Sequence, residues 1–429
     1  MNRFHTIIAS LIIPIITPLY SQDSFEEFLK QQRQAQQQAF EDEQTEFKNY
    51  VAEVTAQYDD YEKQQQREFE EFKKAVEEKW QNFKSPSNKE YVEYDSDLDS
   101  RASVDFEKGE VTIEVIIEDE SPRPVPVIKK TEKNTKQKSL KDIAKKTGTP
   151  AKEPKPVMVK KSPQKMKEVS EKKIQKKLID ILKAKGDNGK PMLNKQIADK
   201  KGKNVTPETA KKYAAQLVST APVKQKTYKA KDGKKRTVYT VKVPMKSDHI
   251  NTRAEEYKKE VLKQSKRFKI DPIIAFAVME TESAFNPKAK SHIPAYGLMQ
   301  LVPKSGARDA YLYVYKKDKF ISGDYLYKPI NNIELGCAYL SKIRHQYFKS
   351  IKDDERAYIC AIPAYNTGIG NVAKALTGKT KLKPASAKAN SMTPKQLYNK
   401  LHKDLKYKEA RDYLERVWTR KDKYAGMLN

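Results

Sequence analysis

Cysteine is nearly absent from this 429-residue chain, which has only Cys337 and Cys360. Both lie on segments that read as helices. Two buried free thiols is the simpler expectation, and a disulfide stays open if those helices pack side by side in an oxidising compartment. Histidine is sparse too: five are scattered without metal-ligand spacing, and His292 reads as a loop residue. No glycine-rich loop follows a strand in the way a phosphate cradle requires. Neither a metal nor a cofactor is therefore expected. A long hydrophobic run is also missing. The apolar stretch Thr6 to Tyr20 is short, is broken by Pro14 and Pro18, and follows Arg3. It reads as a secretory signal peptide over residues 1–21, not as an anchor. No cysteine lies near it, so attachment as a lipoprotein is not expected. Export to the periplasm or cell wall argues against a nucleic-acid partner.

Charge is what the chain has in excess. Its 85 Lys and Arg against 57 Asp and Glu give a net +28, with a mean hydropathy of −0.85. Half of that excess is local, because Pro122 to Lys177 holds 19 basic and 5 acidic residues. This Lys/Pro-rich insertion, about residues 122–170, reads either as a solvated linker or as a patch drawn to an anionic cell-wall or membrane surface. Attraction of the second kind weakens with salt over a Debye length of about 10 Å at 0.1 M.

The remainder divides by hydrophobic period. Ser24 to Ser85 contains no Gly or Pro, and its large apolar residues recur at Phe40, Phe47, Val51, Val54, Tyr58, Tyr61, Phe69, Phe72, Val76 and Trp80. Those steps predict one long amphipathic helix that packs or pairs along one face. Tyr91–Tyr94, Ala102–Phe106 and Val111–Ile117 then alternate as strands, the last two joined as a hairpin at Lys108-Gly109. Ile174–Leu182 reads as helix, Thr206-Pro207-Glu208 as a helix start, and Thr237–Val243 as a strand. Residues 22–250 are therefore expected to form an N-terminal α+β domain carrying the long helix and the insertion. From Thr252 only helix signals follow, so residues 251–429 should form a mainly α domain.

One carboxyl stands out within it. Asp271-Pro272 caps and starts a helix whose body, Ile273 to Met279, is apolar all round, and Glu282 lies at its far end just before Asn286-Pro287. A carboxyl half withdrawn from water is held protonated near neutral pH, as a general acid requires. Taken alone, a glutamate placed like Glu282 is more often a surface residue at a helix end.

Its context adds more. Glu282-Ser283-Ala284-Phe285-Asn286-Pro287, Ser291, Gly297-Leu298-Met299-Gln300, Pro303, Tyr339-Leu340 and Ala364-Tyr365-Asn366 together resemble the soluble lytic transglycosylase family, related to goose-type lysozyme. Lys89–Val92, Ser103–Gly109 and Arg236–Tyr239 resemble the N-terminal domain of the membrane-bound lytic murein transglycosylase C family. The resemblance implies a lysozyme-like fold for the mainly α domain and peptidoglycan glycan strands as substrate. It implies that Glu282 protonates the oxygen between N-acetylmuramic acid and N-acetylglucosamine, then takes a proton from the muramyl 6-hydroxyl, leaving a 1,6-anhydromuramyl end without water. It further implies that Ser291 holds the muramyl N-acetyl group, that Tyr365 hydrogen-bonds Glu282, and that Gln300, Tyr339 and Asn366 line the sugar groove. Read from residue type alone, Tyr339 is also a core aromatic and Asn366 a turn residue. Thr367 stands where the family has a small residue.

Two alternatives stay open. A hydrolytic muramidase needs a second carboxylate to activate water, and Asp309, Asp324 and Glu334 are the nearby acids, each reading as a surface or capping residue. A non-catalytic wall-binding scaffold would use the basic insertion and the long helix instead.

Overall fold

The computed structural model describes residues 22–122, 158–186, 189–292 and 294–428. The signal-peptide stretch and most of the basic insertion lie outside them. By packing the chain divides into two units, residues up to Asp60 and residues from Tyr61 onward, and the long helix α1, Gln22–Lys79, runs through both.

In the first unit α1 is braced along its own surface. The Gln37 amide donates to Glu41 at 3.2 Å and that of Gln38 to Asp42 at 3.0 Å, one turn apart.

In the second unit the end of α1 meets a five-stranded antiparallel sheet. Its strands are β1 (Glu90–Tyr94), β2 (Ser100–Asp105), β3 (Glu110–Glu118), β6 (Lys224–Lys229) and β7 (Lys235–Pro244), in the order β1-β2-β3-β7-β6. The expected hairpin is present, with Val104 opposite Val111 and Gly109 at φ +70 in the turn. A separate short pair, β4 (Glu120–Pro122) and β5 (Met158–Lys160), brackets the insertion. Alternation splits the sheet between two faces. Val104, Ile113, Val115, Val241 and Val243 pack with Ile174, Leu178 and Ile181 of α2 (Pro163–Lys183) and with Ala210 and Ala214 of α3 (Ala210–Thr220). Ile116 and Tyr228 face the other way, onto Val76 of α1 and Trp80 just past its end.

Three differences from expectation have local causes. Helix α2 begins at Pro163, inside the stretch read as linker, because Ser162 caps the Lys165 amide and Pro163 occupies the first turn. Helix α3 begins at Ala210, since Thr206 and Thr209 close a turn on each other first. Strand β6 gives no sequence signal. It is an edge strand with mostly exposed side chains, three of them lysines, the composition that keeps an edge from pairing with other chains.

The rest is helical: α4 (His249–Phe268), α5 (Pro272–Ser283), α6 (Arg308–Tyr315), α7 (Gly323–Tyr327), α8 (Pro329–Lys342), α9 (Asp354–Thr367), α10 (Ile369–Thr377), α11 (Leu382–Asn390), α12 (Pro394–Asp404) and α13 (Lys408–Leu428). Single π-helical turns occur at Pro303–Ala307 and Ile343–Tyr347. The multidomain class, a long helix with an α+β part followed by a mainly α part, is as expected. Helix α5 lies at the centre, with Phe276, Val278 and Met279 fully buried. Helix α9 continues through Pro363, a residue that ordinarily interrupts a helix, because Ala357 to Tyr365 are buried on every side. Tertiary packing there outweighs the lost amide bond. Cys337 and Cys360 are both buried free thiols, pushed towards higher pKa by burial. Among the described residues no helix is long and apolar enough to cross a membrane.

Candidate active site

The end of α5 is held with care. Asp271 caps its start by accepting from the Ile273 amide at 2.8 Å. At the other end Ala284 and Phe285 both adopt left-handed backbone, φ +48 and +59, which costs about 1–2 kcal/mol at each non-glycine residue. The last carbonyls of a helix have no partner within it, and here outside groups supply them. The Asn88 amide donates to the Glu282 carbonyl at 2.7 Å and Arg253 Nε to that of Ala284 at 3.0 Å. The Ser283 hydroxyl donates to the Leu298 carbonyl at 2.8 Å.

That last bond joins α5 to the loop from Ala289 to Leu301, which folds back on itself through Tyr296 and Leu301. Asn332 of α8 clamps it. Its Oδ1 accepts from the Met299 amide at 2.7 Å and its Nδ2 donates to the Tyr296 and Leu326 carbonyls at 2.8 and 2.9 Å. Gly297 passes against this clamp at φ +74, where an added Cβ would run into the Asn332 amide and the Leu326 carbonyl. Gly297→Ala should therefore cost about 2–3 kcal/mol in urea unfolding, from clash and left-handed strain together. A loss below half a kcal/mol would mean that the loop is not pinned there.

Glu282 itself is half-buried by exposed surface yet deep within protein, and burial pushes its carboxyl up to about 7. Tyr413, Arg416 and Lys89 oppose that rise, and Glu409 adds to it. Tyr365 and Tyr413 are both buried, and both phenols are pushed well above the usual tyrosine range, first by burial and then by the charge of Glu282. Among the described residues the Tyr413 hydroxyl has no hydrogen bond of ordinary geometry, but it faces Glu282 closely enough to favour the carboxylate. Loss of this hydroxyl in Tyr413→Phe should move the alkaline limb of the pH profile upward and lower turnover about three- to tenfold. An unmoved limb would remove Tyr413 from the site.

The expected site residues are placed as follows. Tyr365 does not bond Glu282: its hydroxyl donates to the Met299 carbonyl at 2.9 Å, which commits its only proton. Tyr339 packs edge-on against Tyr365, ring centres 5.3 Å apart, and beside Gly306 in the π turn. Gln300 is buried in left-handed backbone, φ +47; its amide donates to Gly297 and Ala289, and its Oε1 has no partner among the described residues. An unsatisfied buried acceptor is costly, and this one is closed off from solvent inside the loop. Ser291 Oγ accepts from the Ala295 amide at 3.2 Å within the loop. Asn366 is half-buried at the end of α9 and takes no side-chain partner among the described residues.

Other acids are engaged elsewhere. Glu280, adjacent in sequence, bonds the Tyr424 hydroxyl and pairs with Lys423 at 3.2 Å and Arg420 at 3.5 Å. Asp309 pairs with Lys342 at 3.2 Å, and Asp324 is exposed in the first turn of α7. Glu334 differs from its surface reading: it is buried, bonded to Arg267 at 2.5 Å and to the Tyr315 hydroxyl at 2.9 Å. The acid that bears on Glu282 is instead Glu409, exposed in the first turn of α13. Sequence reasoning also missed Tyr413, Asn88, Arg253 and Asn332, which give no local signal.

A cavity of about 720 Å³ lies elsewhere, between the start of α2 and strands β6 and β7, lined by Asp119, Met166, Gln225, Thr237 and Tyr239 among others. Its lining includes none of the residues around Glu282, so volume alone does not locate the chemistry.

The chain is similar to known proteins along most of the second unit. Residues 260–387 match the transglycosylase SLT domain, and residues 58–130 and 175–256 match the N-terminal domain of membrane-bound lytic murein transglycosylase C. It is 34% identical to the membrane-bound lytic murein transglycosylase C of Haemophilus ducreyi over 243 residues, 56% of this chain and 63% of that protein. The protein of the same name from Glaesserella parasuis is 34% identical over 256 residues, 58% of this chain and 67% of its own length. Among solved structures, an inactive mutant of the lytic transglycosylase Slt from Pseudomonas aeruginosa is 27% identical, with a TM-score of 0.30, covering 40% of this chain and 24% of that one.

Proposed function

Because this chain belongs to the membrane-bound lytic murein transglycosylase C family, we propose that it is a peptidoglycan lytic transglycosylase working in the cell envelope. Residues 1–21 act as its export signal, residues 22–250 form its N-terminal α+β domain and residues 251–429 its lysozyme-like catalytic domain. The observation that carries this reading is the Glu282 carboxyl, raised to about 7 by burial yet still reachable at the edge of the loop that Asn332 clamps. Such a group is protonated in a large fraction of molecules at neutral pH, so it can give a proton and then take one.

The substrate bond is the β-1,4 link from N-acetylmuramic acid to N-acetylglucosamine. Glu282 protonates its oxygen as the C1–O bond breaks. The resulting carboxylate accepts the proton of the muramyl 6-hydroxyl, whose oxygen closes onto C1. One proton leaves and one returns, no water is consumed, and the product ends in 1,6-anhydromuramic acid. Ser291, Gln300, Tyr339, Tyr365 and Asn366 line the groove. In this role Gln300 shapes the loop through its amide bonds to Gly297 and Ala289, and Tyr365 acts through Met299, keeping the loop in place.

Glu409 favours a second reading, in which an exposed carboxylate near Glu282 activates water and the enzyme is a hydrolase. Mass spectrometry of sacculi digested with the protein separates the two. Anhydromuramyl ends are expected, and reducing muramic ends in their place would overturn the transglycosylase reading.

A further inference from the structure

One of the groups that hold the end of α5, Asn88, comes from the α+β part of the chain, 194 residues before Glu282 in sequence. Asn88 precedes β1 in a tight turn: Ser87 Oγ accepts from the Lys89 and Glu90 amides at 3.3 and 3.1 Å, and the Phe106 amide donates to the Lys89 carbonyl at 2.9 Å. The sheet thus sets the position of Asn88, and Asn88 caps the Glu282 carbonyl at 2.7 Å. The contact is reciprocal, since the fully buried Asn286 donates to the Asn88 carbonyl at 3.4 Å. A second circuit closes on the same turn. Lys89 bonds Glu107, Glu107 pairs with Arg420 at 3.0 Å, and Arg420 donates to the Thr281 hydroxyl at 3.0 Å. Residues on both sides of the Glu282 side chain are therefore anchored to one turn of the α+β part.

Resting on the catalytic reading of Glu282, we infer that the Ser87–Lys89 turn is part of the catalytic apparatus, with Asn88 a positioning residue that holds the last turn of α5 against fraying. Helix ends fray unless their carbonyls are satisfied. A frayed turn would let Glu282 swing into water, losing both its aim at the glycosidic oxygen and the desolvation that keeps it protonated. The α+β part then has a task beyond packing.

Two variants of the full chain test this. Asn88→Ala removes the donor and admits water: turnover should fall about tenfold with KM within about twofold, and the alkaline limb of the pH profile should move to lower pH. Asn88→Asp keeps the shape but sets an acceptor against the carbonyl and adds negative charge near Glu282, so turnover should fall at least as far while the limb moves to higher pH. Opposite movements are a signature that loss of stability alone does not produce. Asn88→Asp is isosteric, so it still reports if the alanine variant unfolds. Losses in both variants that only track a lowered melting temperature, with the limb unmoved, would overturn the inference, as would full activity in both. Loss of turnover in Glu282→Gln beside full activity in both Asn88 variants would leave the proposed reaction standing without it. Turnover that survives Glu282→Gln would overturn both.

Discussion

Glu282→Gln should abolish turnover, by about a thousandfold or more, while binding to isolated sacculi persists. The amide fills the same space but can neither give nor recover a proton. The same variant should be more stable than the parent above neutral pH. The folded-state pKa of Glu282 is raised to about 7 from the ordinary glutamate value of 4.5, so its stabilising contribution is fully present below the unfolded value and is lost as pH rises through 7. Glutamine never ionises and escapes that loss. The stability difference should be absent near pH 4 and reach up to about 3 kcal/mol by pH 8, less to the extent that water reaches the carboxyl. Denaturant melts at the two pH values measure it directly. Equal stability at both would mean that Glu282 ionises like an ordinary surface acid, and the proton-shuttling role would fall with it.

Arg253→Met should be the most damaging single change to the fold, at about 3–5 kcal/mol in urea unfolding. The guanidinium is buried, and it donates to the carbonyls of Ala284 (3.0 Å) and Phe106 (2.6 Å) and to the Gln196 side chain (2.6 Å). Three acceptors from three parts of the chain would lose their donor at once. Burial pushes the Arg253 pKa down to about 10, which leaves it charged at neutral pH. Arg253→Lys should recover little, since an ammonium cannot reproduce the planar fork. His249, 3.1 Å from Nη1, is pushed down to about 4, first by burial and then by Arg253. Its contribution is present above the unfolded value of about 6.5 and is lost as pH falls through 4, so the methionine variant should also lose less stability on acidification. A cost under 1 kcal/mol for Arg253→Met would show that the buried fork is not what joins these segments.

What could be read in advance follows the range of the forces involved. The β2–β3 hairpin was legible because alternation and a glycine turn lie within a few residues. Helix α5 was legible because a cap, a proline and an apolar body are contiguous. Strand β6, built of lysines, carries no such pattern, and the continuation of α9 past Pro363 depends on burial by other helices. Glu282 could be picked out from its place at the end of an apolar helix and from the motifs around it. The bond expected from Tyr365 to Glu282 was not formed, because the Met299 carbonyl takes its proton; Tyr413, far along the chain, faces the carboxyl instead.

Local order in the chain thus determined most of the helices and strands and, with the motifs around it, marked Glu282 as the carboxyl to examine, since hydrophobic period and capping act over a few residues. Only the folded arrangement decided which groups hold that carboxyl in place. Asn88, Arg253, Asn332 and Tyr413 act on the loop or on the end of α5 across 31 to 194 residues of sequence or, for Tyr413, from a separate helix. A hydrogen bond between such partners depends on distance in space, which no nearby residue records.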